Sequence, residues 1–460
     1  MVPKVKIWSS RLDEAVTERH RYAAYVAFEA ILGWEFEWCL KTEWNGSEGA
    51  LMLQYGGLKS DVPPGVLWIP DAGLLHSSGW DSLDWIWSDA SLTPGHIRLP
   101  FGVKLDGQEG AESDWLSWVF WMASRMEECA LNHNDLRDEL GRFKGTESWA
   151  HQEGWLQHPI LEKCVRAWAQ QVAPTLPIPG GYRVQPTIDV DSAFAYRYKG
   201  LKLTLGAAVN DLIRGRWSRF AERPLVLLGW KQDPYDTYQW LEKAHEKAGL
   251  RAQYFFLLSN RGKRDRGVPW HAPKLQQGIR GLSASADLGI HPGFSAHDAI
   301  DDAAMQEEIG RLYGILEAPI ERSRQHYLLQ RFPLSWRRLE RLGIKADHSL
   351  GYADVVGFRA GMSRPFRAYD IGEERIMDLV LHPIAAMDAT LMRYLKLSPK
   401  GALQVIRQLS SNVREVEGVL VLLWHNESVS DRWQWKGWKV FYQEVLAVVV
   451  LEKNGITLES

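Results

Sequence analysis

Eight residues near the middle of the chain, Pro174-Thr-Leu-Pro-Ile-Pro-Gly-Gly181, constrain the fold more than any other stretch. Three prolines there remove backbone donors and fix φ, and two glycines add conformational freedom, so neither a helix nor a central strand can run through. The segment reads as an extended linker (174–181) between a unit at 1–173 and a unit at 182–460, and 460 residues suit two domains. Before the linker, residues 116–129 and 160–172 carry apolar side chains at helical spacing and 65–69 reads as a short strand, which predicts an α+β half. After it the periodicity alternates. Strands are predicted at 184–190, 252–258, 286–290 and 418–424. Helices are predicted at 237–248, closed by Gly249, and at 303–316, 336–342 and 438–450. Alternating strands and helices predict a mostly parallel α/β sheet, open or closed into a barrel.

Composition excludes several classes. Net charge is −3, so the chain as a whole directs no basic field at nucleic acid or an anionic membrane. Cys39, Cys129 and Cys164 lie far apart and form no CxxC pair, which argues against a disulfide framework or a zinc knuckle. The first residues lack an apolar secretion core, and no apolar run is long enough to cross a bilayer, so a cytoplasmic protein without a transmembrane segment is expected. The 23 tryptophans are expected mostly in cores, with sugar-stacking walls as their other use.

In parallel α/β folds the working residues follow the C-terminal ends of strands. The run at 184–190 delivers Asp189-Val-Asp191; two carboxylates so close call for a cation, although turn and capping roles compete. The run at 286–290 delivers His291, with His297 six residues on. The run at 418–424 delivers His425, a candidate acid or base where a core histidine is the plainer alternative. Arg324 and His326, Arg359 between two glycines, and Asp388 are further candidates, each alone more simply an ion-pair residue. Together, carboxylates and imidazoles converging on an open metal position describe hydrolysis. The metal polarises a carbonyl and activates water, a carboxylate takes the water's proton, and a histidine protonates the leaving amine.

At these residues the chain resembles the NodB-homology polysaccharide deacetylases, and among them a bacterial branch with an extra N-terminal domain of unknown function. The resemblance rests on Leu99-Pro-Phe101, Ala123-Ser-Arg-Met-Glu-Glu128, Gly141-Arg-Phe143 and Gly154-Trp-Leu-Gln-His-Pro159 in the first half. In the second half it rests on Thr187-Ile-Asp-Val-Asp191, Tyr254-Phe-Phe-Leu257, Gly289-Ile-His-Pro292, Arg324-Gln-His-Tyr327, Ser349-Leu-Gly-Tyr-Ala353, Gly357-Phe-Arg-Ala-Gly361 and Leu423-Trp-His-Asn426. It implies a distorted (β/α) barrel, a divalent metal such as zinc, and removal of N-acetyl or O-acetyl groups from an amino-sugar glycan. It implies Asp189 as base, Asp191 and His291 as metal ligands, His425 as acid, and Arg324 or Arg359 as the residue holding the base. Trp424, Asp388 and Tyr352 are expected to line the sugar site. Ser295 stands where the family has its second metal histidine, leaving His297, or alternatively His326, for that role. The competing expectations are a glycan-binding protein on the same scaffold and a hydrolase of a non-sugar amide.

Overall fold

The computed structural model describes residues 2–10, 16–40, 50–78, 91–92, 98–99, 102–104, 111–130, 134–298 and 301–453. Pro100 and Phe101 of the Leu99-Pro-Phe101 motif lie outside the described residues. In the first half β1 (Lys4–Ser9), β2 (Glu35–Trp38), β3 (Leu51–Tyr55) and β4 (Leu67–Ile69) form a sheet of order β2-β1-β3-β4, every pair parallel. Parallel neighbours need a crossover. Between β1 and β2 it is α1 (Glu18–Ala24) with the π-helical turn Tyr25–Ile31. Beside two antiparallel strand pairs, Ser91–Leu92 with Arg98–Leu99 and Gly102–Lys104 with Ala111–Ser113, the half expected as α+β thus holds a parallel layer. Its strands are too short, and too mixed in polarity along Lys4, Lys6, Glu35 and Glu37, to announce that pairing from sequence.

The helix α2 (Trp115–Ala123) is capped by Asp114, whose carboxylate accepts the Ser117 amide at 3.0 Å. The helical pattern expected to continue to Cys129 breaks at Arg125, which adopts φ 58°. A second short helix, Met126–Ala130, follows. The helix α3 (Ile160–Val172) ends just before the Pro-rich linker. The linker is irregular but not a free tether, because Trp34 Nε1 and Arg364 donate to its Pro177 and Pro179 carbonyls.

After the linker, nine strands form one sheet: β5 (Arg183–Val190), β6 (Gln253–Phe256), β7 (Asp287–Ile290), β8 (Arg322–Ser323), β9 (Ala346–Asp347), β10 (Phe366–Asp370), β11 (Arg375–Leu381), β12 (Ala386–Met387) and β13 (Val419–His425). Their order is β10-β11-β9-β8-β7-β6-β5-β13-β12, parallel throughout except for the β10–β11 hairpin. No ladder joins β10 to β12 among the described residues, so the expected barrel is not closed. The helices are α4 (Leu201–Ile213), α5 (Trp217–Leu227), α6 (Tyr238–Lys247), α7 (Pro273–Leu282), α8 (Ala303–Leu316), α9 (Leu334–Arg341), α10 (Pro399–Glu415) and α11 (Trp438–Lys453).

The sheet curls strongly. β5 and β8 are three strands apart, which a flat sheet would separate by about 14 Å, yet Arg324 just past β8 reaches Asp189 on β5 at 2.8 Å. The curl has an inside. Val421 and Leu423 of β13 pack with Leu328, Ala353, Ile384 and Met387 in a small cluster of their own. Leu420, Leu422 and Trp424, on the alternate face, join the main core. Burying each of these leucines contributes roughly 1.5–3 kcal/mol.

The two halves share that main core and are tied by buried ions. Glu128 accepts from Arg125 and from Arg359, all three being at most 3% exposed. Glu162 accepts the Ser363 and Arg364 amides. Gly357 must be glycine, since at φ 132° an added Cβ would lie 2.3 Å from the Leu156 carbonyl oxygen. Glu128→Ala leaves the buried Arg359 without its carboxylate, and Arg125 with Glu127 alone at 3.0 Å, and is expected to lower unfolding stability by roughly 3–5 kcal/mol. Glu415→Ala, which removes an exposed partner of Lys163, is expected to cost less than about 1 kcal/mol. Chemical denaturation of the two variants measures the contrast.

Candidate metal centre

The site is built at the C-terminal ends of β5, β7, β8 and β13. Asp189 faces the inside of the curl, and the two-residue strand period turns Val190 to the helical side. Asp191, the next residue after the strand, returns to the side of Asp189. The interposed valine therefore keeps both carboxylates together. His425 stands in register with Asp189 on the neighbouring strand.

Asp189 is 2% exposed, and its Oδ1 accepts from Arg324 Nη1 at 2.8 Å. Arg324 is fully buried. It also donates to Thr187 Oγ1 and the His348 carbonyl, and its guanidinium lies 4.4 Å from the centre of the Phe255 ring. Arg359, the other candidate for holding the base, is spent on Glu128 and the Gly351 carbonyl.

Three imidazoles converge on Asp191, each anchored by its Nδ1. His291 Nδ1 donates to the Arg324 carbonyl at 2.6 Å, so Nε2 faces Asp191 Oδ1 at 3.2 Å and Asp189 Oδ2 at 3.8 Å. His326 Nδ1 meets Asp265 Oδ1 at 2.9 Å and its Nε2 lies 3.6 Å from Asp191 Oδ2. His425 Nδ1 meets Asp388 Oδ1 at 2.7 Å and its Nε2 lies 3.9 Å from Asp191 Oδ2. A carbonyl or carboxylate at Nδ1 fixes the proton there and turns the Nε2 lone pair inward. Inward lone pairs beside carboxylate oxygens repel unless positive charge lies between them.

The surroundings attract that charge. Asp189 pairs with the Arg324 guanidinium, while Asp191, Asp265 and Asp388 meet imidazoles. Burial alone would lower His326, but Asp191 and Asp265 outweigh it and push it up to about 9. Burial would lower His425 too, yet Asp388 and Asp191 push it up to about 10. Burial would raise Asp191, but the imidazoles hold it well below the carboxylate range. Asp191 Oδ1 is buried and makes no hydrogen bond. Ligand atoms of Asp191, His291 and His326 lie within 4.8 Å of one another. One carboxylate and two Nε2 atoms, each oriented from behind, are a donor set for a divalent ion such as zinc, with positions left for water and substrate.

His326, not His297, completes this set. Both Ser295 and His297 lie on the short helix Phe294–Asp298. Ser295 binds the Asp265 carboxylate through its amide and its hydroxyl. His297, two residues or about 200° further round the helix, lines a separate cleft with Met305, Gln325 and Arg338. Asp265, which the sequence does not single out, thus anchors the helix with one set of contacts and orients His326 with another.

A cavity of about 300 Å³ opens over the cluster. Its walls include Leu328, Met387, Ala389 and Leu423, with Arg142, Tyr327, Arg393 and Tyr394 as polar lining. Arg142 comes from the first half and donates to Tyr394 Oη at 2.9 Å and to the Tyr327 carbonyl. The three expected sugar contacts lie elsewhere. Trp424 is fully buried on the far face of β13 against Phe441 and Tyr442, because its neighbours Leu423 and His425 take the inner face. Tyr352 is buried among Arg125 and Arg359, its hydroxyl accepting from Arg125. Asp388 is also fully buried, behind His425, and accepts its backbone amide at 2.8 Å.

Residues 11–177 match a family of unknown function, DUF7033. No curated protein matches by sequence. Among solved structures, the chain is similar to a protein described as a polysaccharide deacetylase from Mycobacterium smegmatis: 14% identity, TM-score 0.39, covering 61% of this chain and 93% of that one. It is also similar to a family 4 carbohydrate esterase from Streptomyces lividans in complex with acetate, at 13% identity and TM-score 0.27, covering 49% of this chain and 85% of that one. A polysaccharide deacetylase from Bacillus cereus matches at 11% identity and TM-score 0.28, covering 61% of this chain and 92% of that one. At these scores the likeness assigns no reaction to this chain.

Proposed function

We propose that the chain is a divalent-metal-dependent hydrolase that removes an acetyl group, foremost an N-acetyl group, from an amino-sugar substrate. The observation that carries the reading is the convergence of three Nδ1-anchored imidazoles on Asp191 beside a second carboxylate. Sequence motifs shared with the NodB-homology deacetylases support it, and the curled sheet is consistent with their distorted barrel. We treat 1–173 and 182–460 as two domains sharing one core, with Arg142 as the first domain's contribution to the cleft.

Asp191, His291 and His326 would hold the metal, which when bound polarises the acyl carbonyl and lowers the pKa of a water. Asp189 acts as the base. Arg324 occupies its Oδ1, so Oδ2 is the oxygen turned toward the cleft to accept a proton from the attacking water. His425, on the adjacent strand, is the acid. Asp388 holds its ring, so Nε2 delivers a proton to the nitrogen as the carbon–nitrogen bond breaks. The products are acetate and a free amine. A separate base and acid flanking one cation position are not needed merely to bind a glycan, which sets the non-enzymatic alternative behind this one.

The test is acetate release from N-acetylated and O-acetylated amino sugars and chito-oligosaccharides, with zinc, cobalt or nickel supplied. Release that disappears with chelator supports the reading. Stoichiometric metal binding without release from any acetylated sugar would leave a binding protein or a hydrolase of another amide.

A further inference from the structure

Of the twenty exposed large hydrophobic side chains among the described residues, twelve lie between Leu201 and Trp230, on the hairpin formed by α4 and α5. Trp217 is 65% exposed, Trp230 76%, Ile213 78% and Leu201 75%. The hairpin is built inside out. On α4, Leu201, Leu205, Val209, Leu212 and Ile213 form an outward stripe about 120° wide at 100° per residue. The buried residue of that helix is Asp211, paired inward with Arg223 of α5. A helix turned so, with its acid inside and its aliphatic face in water, marks a surface that meets a further apolar phase.

The charges say which phase. Residues 199–231 hold seven basic side chains and two acidic ones in a chain whose net charge is −3. Both acids are buried in ion pairs, Asp211 with Arg223 and Glu222 with Lys231. The surface therefore shows lysine, arginine, tryptophan and aliphatic groups together. Arg214 and Arg216 sit at the hairpin tip between Ile213 and Trp217. Apolar side chains that enter an acyl layer, with cations and tryptophans at headgroup level, are the signature of an interfacial element. No described helix is long and apolar enough to cross a membrane.

We propose that the α4–α5 hairpin is a docking surface for an anionic lipid bilayer. Its position gives the docking a consequence. The hairpin begins just after Asp191, and both of its feet are pinned by Asn426, the residue after His425, whose side-chain amide donates to the Ser192 and Tyr235 carbonyls. Asp233 closes the base by accepting the Ala195, Tyr196 and Arg197 amides. Docking thus brings the cleft end of the sheet to the lipid surface. The proposal does not depend on which reaction the cleft performs.

Full-length protein is sedimented with vesicles of phosphatidylcholine and phosphatidylglycerol, beside vesicles of phosphatidylcholine alone. The expected result is binding to the anionic vesicles that weakens with salt. Lys202→Glu/Arg214→Glu should weaken it roughly tenfold or more, at about 1 kcal/mol for each charge near the surface. Ile213→Ser/Trp217→Ser/Trp230→Ser should weaken it on both vesicle types. All five positions are exposed, so the variants should unfold at the wild-type temperature. Wild type that stays in the supernatant with anionic vesicles overturns the proposal. So does binding that neither variant changes. So does sedimentation velocity showing a second copy seated on the hairpin, released by the apolar variant, with no vesicle binding.

Discussion

Asp189→Asn is expected to reduce turnover roughly 10²–10⁴-fold, the usual worth of a positioned general base, while metal content stays at the wild-type level. Arg324 takes one carboxylate oxygen at 2.8 Å, and only Oδ2 remains for the attacking water. Asparagine keeps an oxygen for Arg324 and replaces the base with an amide that cannot accept the proton. Asp191, His291 and His326 are untouched, so the metal should remain. The variant also leaves the fully buried guanidinium facing a neutral partner, so some loss of unfolding stability accompanies the loss of rate. Assays below the variant's unfolding transition separate the two. Turnover within a few-fold of wild type would remove Asp189 from the base role. Arg359→Ala provides the contrast, since Arg359 serves the Glu128 ion cluster and should affect stability well before turnover per folded molecule.

Asp388→Asn is expected to lower kcat by one to two orders of magnitude, approximating the cost of losing the partner that fixes a catalytic histidine, with KM and metal content near wild type. Asp388 does two things for His425. It fixes the ring by accepting from Nδ1 and from the backbone amide. It also raises the imidazole's pKa against the effect of burial. A general acid works while protonated, so activity falls as pH rises through its pKa. Without Asp388 that pKa drops, and the descending alkaline limb of the rate profile should move to lower pH. A bound cation lowers the same pKa in wild type and variant alike, so the direction of the difference survives. An unmoved alkaline limb would assign that limb to another group.

Where polar residues end long apolar strands, the site was legible from sequence. Asp191, His291 and His425 follow 184–190, 286–290 and 418–424, and the alternation of β13 already implies that Trp424 and His425 take opposite faces, a signal available without coordinates. The choice of third ligand was not legible. His326 follows a strand of two residues, too short for an apolar run to mark, and its direction is set by Asp265, distant in sequence. Arg324 and Arg359 were equally plausible for the same reason, since their partners lie on elements far apart along the chain. The parallel pairing of the first four strands depended on long-range register rather than on local pattern. The α4–α5 hairpin went unread because a whole-chain charge of −3 averages out a local excess of five positive charges.

Asp191, His291 and His326 are proposed to form one metal centre. Elemental analysis of purified wild type, His326→Ala and His297→Ala, each after incubation with zinc, tests it most directly. About one equivalent is expected in wild type and in His297→Ala, and its loss in His326→Ala, because His326 aims Nε2 at Asp191 while His297 lines another cleft. Loss of the ion in His297→Ala with retention in His326→Ala, or no ion in any of the three, would contradict it.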